Sequence, residues 1–113
     1  MRRLLALALA VLGGCSAEML APLPLRITIE ASRITAAPGD VISFQVDAQG
    51  GQLVGITTTY DDGIEEQFGT SGARTARVTF RHAFAAPGTY LVKATVTDAV
   101  AGPKDASVSV RVE

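Results

Sequence analysis

The chain holds one cysteine, one histidine and no tryptophan among its 113 residues. A single thiol excludes an intrachain disulfide, and one Cys with one His cannot assemble a zinc site of the Cys/His kind. Aromatic residues make up only 5% of the sequence, which weakens any role built on stacking against flat ligands. Neither sign of charge dominates, since ten Lys and Arg stand against eleven Asp and Glu. Nothing in that balance points to nucleic acid or to an acidic substrate. What the chain has is aliphatic residue: 48% is hydrophobic, which excludes a disordered segment. Its length suits one small domain better than an enzyme with its own pocket.

The start is an address. Met1-Arg2-Arg3 is basic, and Leu4 to Leu12 is an unbroken run of Leu, Ala and Val. Such a run is too short to cross about 30 Å of hydrocarbon, which needs roughly 20 helical residues. It has the length of a secretory signal's apolar region, with Arg2 and Arg3 holding the start on the cytoplasmic side. The residues that follow, Leu12-Gly13-Gly14-Cys15, resemble the lipobox of bacterial lipoproteins. Small residues let the backbone enter a signal peptidase, and the thiol receives a diacylglyceryl thioether. The resemblance implies cleavage before Cys15, lipid on its sulfur and acylation of its new amino group, for example by palmitate. Ser16, rather than Asp, resembles lipoproteins sent on to an outer membrane. One acyl chain anchors marginally, at about 0.8 kcal/mol per buried CH₂, whereas two or more hold firmly.

This divides the chain into a signal peptide (residues 1–14), a lipidated Cys with a short tether stiffened by Pro22 and Pro24 (15–25), and one domain (26–113). Removing Arg2 and Arg3 leaves a mature charge of about −3, which favours solubility without choosing a partner.

From Leu25 onward the hydrophobic period is two. Ile27 and Ile29 alternate with Thr28 and Glu30; Ile42, Phe44, Val46 and Ala48 share a face. So do Val54, Ile56, Thr58 and Tyr60, then Val78, Phe80, His82 and Phe84, then Tyr90, Val92, Ala94 and Val96. Ala106, Val108, Val110 and Val112 close the chain. Strands apolar on one face belong to antiparallel sheets with one wet side. Turn chemistry separates them at Pro38-Gly39-Asp40, Gly50-Gly51, Asp61-Asp62-Gly63, Gly69 to Gly72, Pro87-Gly88 and Gly102-Pro103. The expectation is an all-β, immunoglobulin-like antiparallel sandwich of about seven strands.

The stretch His82-Ala83-Phe84 through Pro87-Gly88-Thr89-Tyr90-Leu91-Val92 to Val96-Thr97-Asp98 resembles the PKD domain (polycystic kidney disease repeat). Ala37-Pro38-Gly39-Asp40-Val41 is similar to that family's early Pro-Gly turn, and Tyr60-Asp61-Asp62-Gly63 to its central aromatic-x-Asp-Gly turn. The family's usual Trp, two residues before the central aromatic, is replaced here by Thr58. That exchange removes the largest core side chain and leaves a hydroxyl in need of a partner. The motif residues read as structural: His82 and Phe84 inward, Pro87 and Gly88 in a turn that favours positive φ. Tyr90 stands at an inter-sheet corner where its hydroxyl can bond back to the preceding loop, and Asp98 can accept amides of the turn after it.

Asp61, Asp62, Glu65 and Glu66 form the one dense carboxylate cluster, a weak candidate for calcium, which the family resemblance permits. A solvated turn is the plainer account. Of the aromatics only Phe68 falls off the inward rows, which leaves little for a sugar platform. Arg74, Arg77 and Arg81 read as a solvated face. No cofactor, catalytic residue or nucleic-acid partner is implied. The sequence points to a non-catalytic module, lipid-anchored at a bacterial envelope and more readily at the outer membrane than the inner, with an envelope protein as partner. The competing readings are a cell-wall or carbohydrate-binding lipoprotein and an accessory subunit of a separate envelope enzyme.

Overall fold

The computed structural model describes residues 23–113; the signal, Cys15 and most of the tether lie outside the described residues. The described chain folds into β-strands alone. They are β1 (Arg26–Ala31), β2 (Thr35–Ala36), β3 (Val41–Thr59), β4 (Glu65–Ala83), β5 (Gly88–Asp98) and β6 (Gly102–Val112). All pairings are antiparallel except that of β2 with the end of β6.

The architecture is a sandwich made by folding one long ribbon. β3 and β4 pair along nearly their whole length, from Val41 opposite Ala83 to Thr59 opposite Glu65. The first half of β3 lies between β1 and β4, and the second half lies between β4 and β5. One layer is therefore β1 with the first half of β3 and the second half of β4. The other is the remaining halves with β5, β6 and β2.

Two of the expected turns are corners inside continuous strands, so six strands stand where about seven were expected. Gly50-Gly51 falls within β3, and Gly69 to Gly72 falls within β4. The register shifts between Gln49 and Leu53, and again between Leu53 and Gly55. Extra residues on one strand bend it, which is how a strand changes sheet. The same shift corrects the inward row of the second half of β3. Leu53 is buried and Val54 is exposed, because the irregularity reverses the alternation just before Ile56.

The core lies between the layers. Ile42, Phe44, Val46, Leu53, Ile56, Val92, Val96 and Val110 are all essentially inaccessible to water. Thr58 sits among them fully buried, and its hydroxyl has no hydrogen-bond partner. An orphaned buried hydroxyl costs about 1–3 kcal/mol. Thr58→Val keeps the shape and removes that cost, so it is expected to raise the unfolding free energy by about 1 kcal/mol. Urea denaturation checks this: a lower midpoint for the Val variant would mean the hydroxyl is satisfied in solution.

Candidate functional site

The aromatic and acidic residues singled out in the sequence gather at one end of the sandwich. Asp61 and Gly63 both take left-handed φ, 63° and 88°, which lets the chain turn tightly after Tyr60. An Asp tolerates this region and Gly adopts it freely. The turn is then locked from several sides. Asp62 Oδ1 accepts the Ile64 amide at 3.1 Å, and Asp62 Oδ2 meets His82 Nε2 at 2.6 Å. An ionised carboxylate only accepts, so Nε2 carries the hydrogen. Asp61 Oδ2 accepts the Leu91 amide of β5 at 3.0 Å. The Tyr60 hydroxyl donates to Glu66 Oε1 at 2.9 Å. Burial, and then the Glu66 carboxylate, push the Tyr60 phenol well above its ordinary range, so it stays a donor.

His82 is held between rings. It stacks on Tyr60 with centroids 3.9 Å apart and packs T-shaped against Phe84 at 4.8 Å. Phe84 stacks on Tyr90 at 4.2 Å, and Phe44 closes the other end against Tyr60 at 5.8 Å. The ladder crosses between the layers repeatedly. The Tyr90 hydroxyl donates to the Ala86 carbonyl at 2.7 Å, closing the loop through Pro87. Gly88 opens β5 with a positive φ of 158°, which L side chains rarely adopt, and packs against the Tyr90 ring.

Asp98 lies at the opposite end, far from this cluster. Its Oδ1 accepts the Gln52 amide at 2.6 Å, and Oδ2 accepts those of Val100 and Ala101 at 3.0 and 2.9 Å. Those backbone donors hold its carboxyl below the ordinary aspartate value. Asp98 thus ties the corner of β3 to the β5–β6 turn. Periodicity placed Asp98 at a strand end; its bond across to Gln52 depends on a corner that local sequence does not announce.

The surfaces are simpler. Arg77 donates to Asp47 Oδ1 at 2.6 Å, an exposed pair that contributes little, while Arg74 and Arg81 point to solvent. β4 forms one edge of each layer, and charges along it guard against stray strand pairing. Phe68 is 46% exposed on that edge. A groove of about 590 Å³ on the outer face of the second layer is lined by Thr59, Asp61, Ile64, Glu65, Leu91 and Lys93. Ile64 and Leu91 each leave about half their surface in water there.

Chemically, His82 and most of the acids are bound to the fold itself. Asp61, Asp62 and Glu66 each serve a different bond, and only Glu65 of the four calcium candidates is left over. Among the described residues no three His, Cys, Asp or Glu side chains converge as metal ligands. The molecule is an immunoglobulin-like β-sandwich whose titratable groups brace turns and corners. The PKD domain model matches residues 26–112, and the chain belongs to that family, whose members are typically interaction modules. Among curated proteins none matches.

Solved structures share the fold at low identity. The PKD domain of an M14-like peptidase from Thermoplasmatales archaeon SCGC AB-540-F20 is 19% identical, with a TM-score of 0.69 over 81% of this chain and 98% of that one. The CARDB domain of the PF1109 protein from Pyrococcus furiosus, solved with di-metal ions, is 16% identical, with a TM-score of 0.59 over 79% and 92%. The PKD domain of the human VPS10 domain-containing receptor SorCS2 is 20% identical, with a TM-score of 0.55 over 81% and 74%.

Proposed function

We propose that this protein is a non-catalytic, lipid-anchored module of a bacterial cell envelope whose PKD sandwich holds a protein partner. The observation that carries the reading is the groove around Ile64 and Leu91. Two half-exposed aliphatic side chains flank Lys93 and Glu65, so an apolar contact would have charged neighbours to fix its register. The Asp61 and Asp62 bonds hold the groove's wall rigid, which limits the ordering cost of binding. Anchoring rests on the sequence: the chain's one Cys stands where a lipobox needs it.

The test is crosslinking on intact cells followed by affinity purification. The native chain is expected to bring down a reproducible protein. Cys15→Ser is expected to lose the membrane and with it that partner, and Leu91→Glu to stay on the membrane without it. A Cys15→Ser chain that remains equally membrane-bound would overturn the anchoring step. Capture that is indifferent to Leu91→Glu would move the contact elsewhere on the domain.

The archaeal relative is a domain of a peptidase, which favours a second reading as an accessory subunit of a separate envelope enzyme. In that case the captured partner is itself a hydrolase, and the purified chain alone turns over nothing. Glycan binding draws support from Phe68 alone. Retention on isolated wall material that Phe68→Ala abolishes would favour it.

A further inference from the structure

The ends of the sandwich differ in charge. Strand register puts Arg26 opposite Gln49 and Gln49 opposite Thr75, while Leu53 stands opposite both Ala73 and Asp98. Arg26, Arg74, the β5–β6 turn and Lys104 therefore share the end at which the described chain begins. Lys104 Nζ reaches the Leu25 carbonyl at 3.2 Å, which ties that turn to the entering chain. The nearby acids are engaged: Asp98 with backbone amides, Asp47 with Arg77, and Asp105 at 4.0 Å from Lys93. Arg26, Arg74 and Lys104 are exposed. At the tip of the same turn Val100 is 87% exposed, more than any other large hydrophobic residue of the described chain. At the opposite end Asp61, Asp62, Glu65 and Glu66 outnumber Arg81, while Arg33 and Arg111 are paired with Asp40 and Glu113.

We propose that this basic end is a docking surface for an anionic phospholipid bilayer, with Val100 entering the headgroup layer and Arg26, Arg74 and Lys104 meeting phosphates. The proposal rests on the anchored reading above and deepens it. Only seven residues separate Cys15 from Leu23, so even fully extended the tether holds the basic end within about 30 Å of a lipidated Cys15. Each basic residue near an anionic surface strengthens docking on the order of fivefold, and an exposed aliphatic tip adds burial. The acidic end is repelled by the same surface, so the field orients the domain with its Ile64–Leu91 groove away from the membrane.

The absence of Trp makes the test direct, because one introduced Trp is the only indole in the protein. The full chain carrying Val100→Trp is placed on vesicles of phosphatidylcholine alone, or of phosphatidylcholine and phosphatidylglycerol in equal parts. Its emission is expected to shift to the blue, and to be quenched by brominated lipid, on the mixed vesicles only. A Val41→Trp probe at the opposite end is expected not to respond. Adding Arg26→Glu, Arg74→Glu and Lys104→Glu to the Val100→Trp chain is expected to weaken docking on the order of a hundredfold, and each single reversal about fivefold. The mass of the N-terminal peptide reports separately whether Cys15 carries lipid. A lipidated chain whose Trp emission is the same on both vesicles would overturn the docking and leave the anchor standing. An unlipidated Cys15 would overturn the anchor, while a phosphatidylglycerol-dependent shift in that chain would still support the docking. Equal shifts from both Trp positions would overturn it as unspecific adsorption.

Discussion

Phe84→Ala is expected to lower the unfolding free energy by about 3–5 kcal/mol, a large share of the 5–15 kcal/mol typical of a small domain. The Phe84 ring is 1% exposed and lies within the aromatic ladder, with His82 packed edge-to-face on one side and Tyr90 stacked on the other. Its own carbonyl accepts the Gly39 amide at 2.9 Å, so the residue also positions the Pro38-Gly39 turn. Removing the ring opens a cavity between the two layers and leaves His82 and Tyr90 each short of a packing surface. Neither can collapse into the gap readily, because His82 is bonded to Asp62 and Tyr90 to the Ala86 carbonyl. Urea unfolding is expected to show a much lower midpoint at unchanged slope. Phe68→Ala, which trims a half-exposed ring, is expected to stay within about 0.5 kcal/mol of the native chain. Equal losses for the two variants would mean that the ladder is not where the sandwich is held.

The contrast between Phe84 and Phe68 was legible in part: Phe84 falls on the inward side of a period-two row, whereas Phe68 lies outside every such row, in a stretch that reads as a loop beyond Glu66 and proves to be the first half of β4. Where the period breaks, that reading fails. Leu53 and Val54 exchange places because β3 carries irregularities at its corner, and a corner looks like a turn when the only signal is Gly50-Gly51. The long ribbon of β3 and β4 is a matter of which halves pair, and pairing is fixed by contacts far apart in sequence. The carboxylates show the same limit. Their density near Gly63 marked them as candidates for a cation, but Asp62, Asp61 and Glu66 are bonded to three different remote groups, His82, the Leu91 amide and the Tyr60 hydroxyl, which leaves Glu65 alone. The groove between Ile64 and Leu91 was equally hidden, since its walls come from the turn after β3 and the middle of β5. A Leu on an otherwise polar row was the one local hint.

The second large effect belongs to the corner of β3. A Cβ added at Gly50 would lie 2.8 Å from Leu53 Cδ2, 2.9 Å from Asp98 Oδ1 and 3.2 Å from Leu25 Cδ1. Leu53 is fully buried and Asp98 Oδ1 is fixed by the Gln52 amide, so neither neighbour can yield without loss. Gly50→Val is expected to cost about 1–3 kcal/mol through overpacking, and more if the carboxylate is displaced. Thermal unfolding reads this, and a midpoint equal to the native one would show that the corner has room. The acid branch separates packing from charge. Because the carboxyl of Asp98 is held below its ordinary value in the folded chain, its stabilising effect is fully present at neutral pH. The effect fades as pH falls below about 4 and through the depressed folded value. Asp98→Asn puts an NH₂ group where the Val100 and Ala101 amides, or that of Gln52, need an acceptor. The gap in stability between native and Asp98→Asn chains is therefore expected to be widest at pH 7 and to narrow in acid, whereas the Gly50→Val deficit keeps a packing component at any pH. If the Asp98→Asn gap were the same at pH 3 and pH 7, the carboxylate would not be the group that closes the corner.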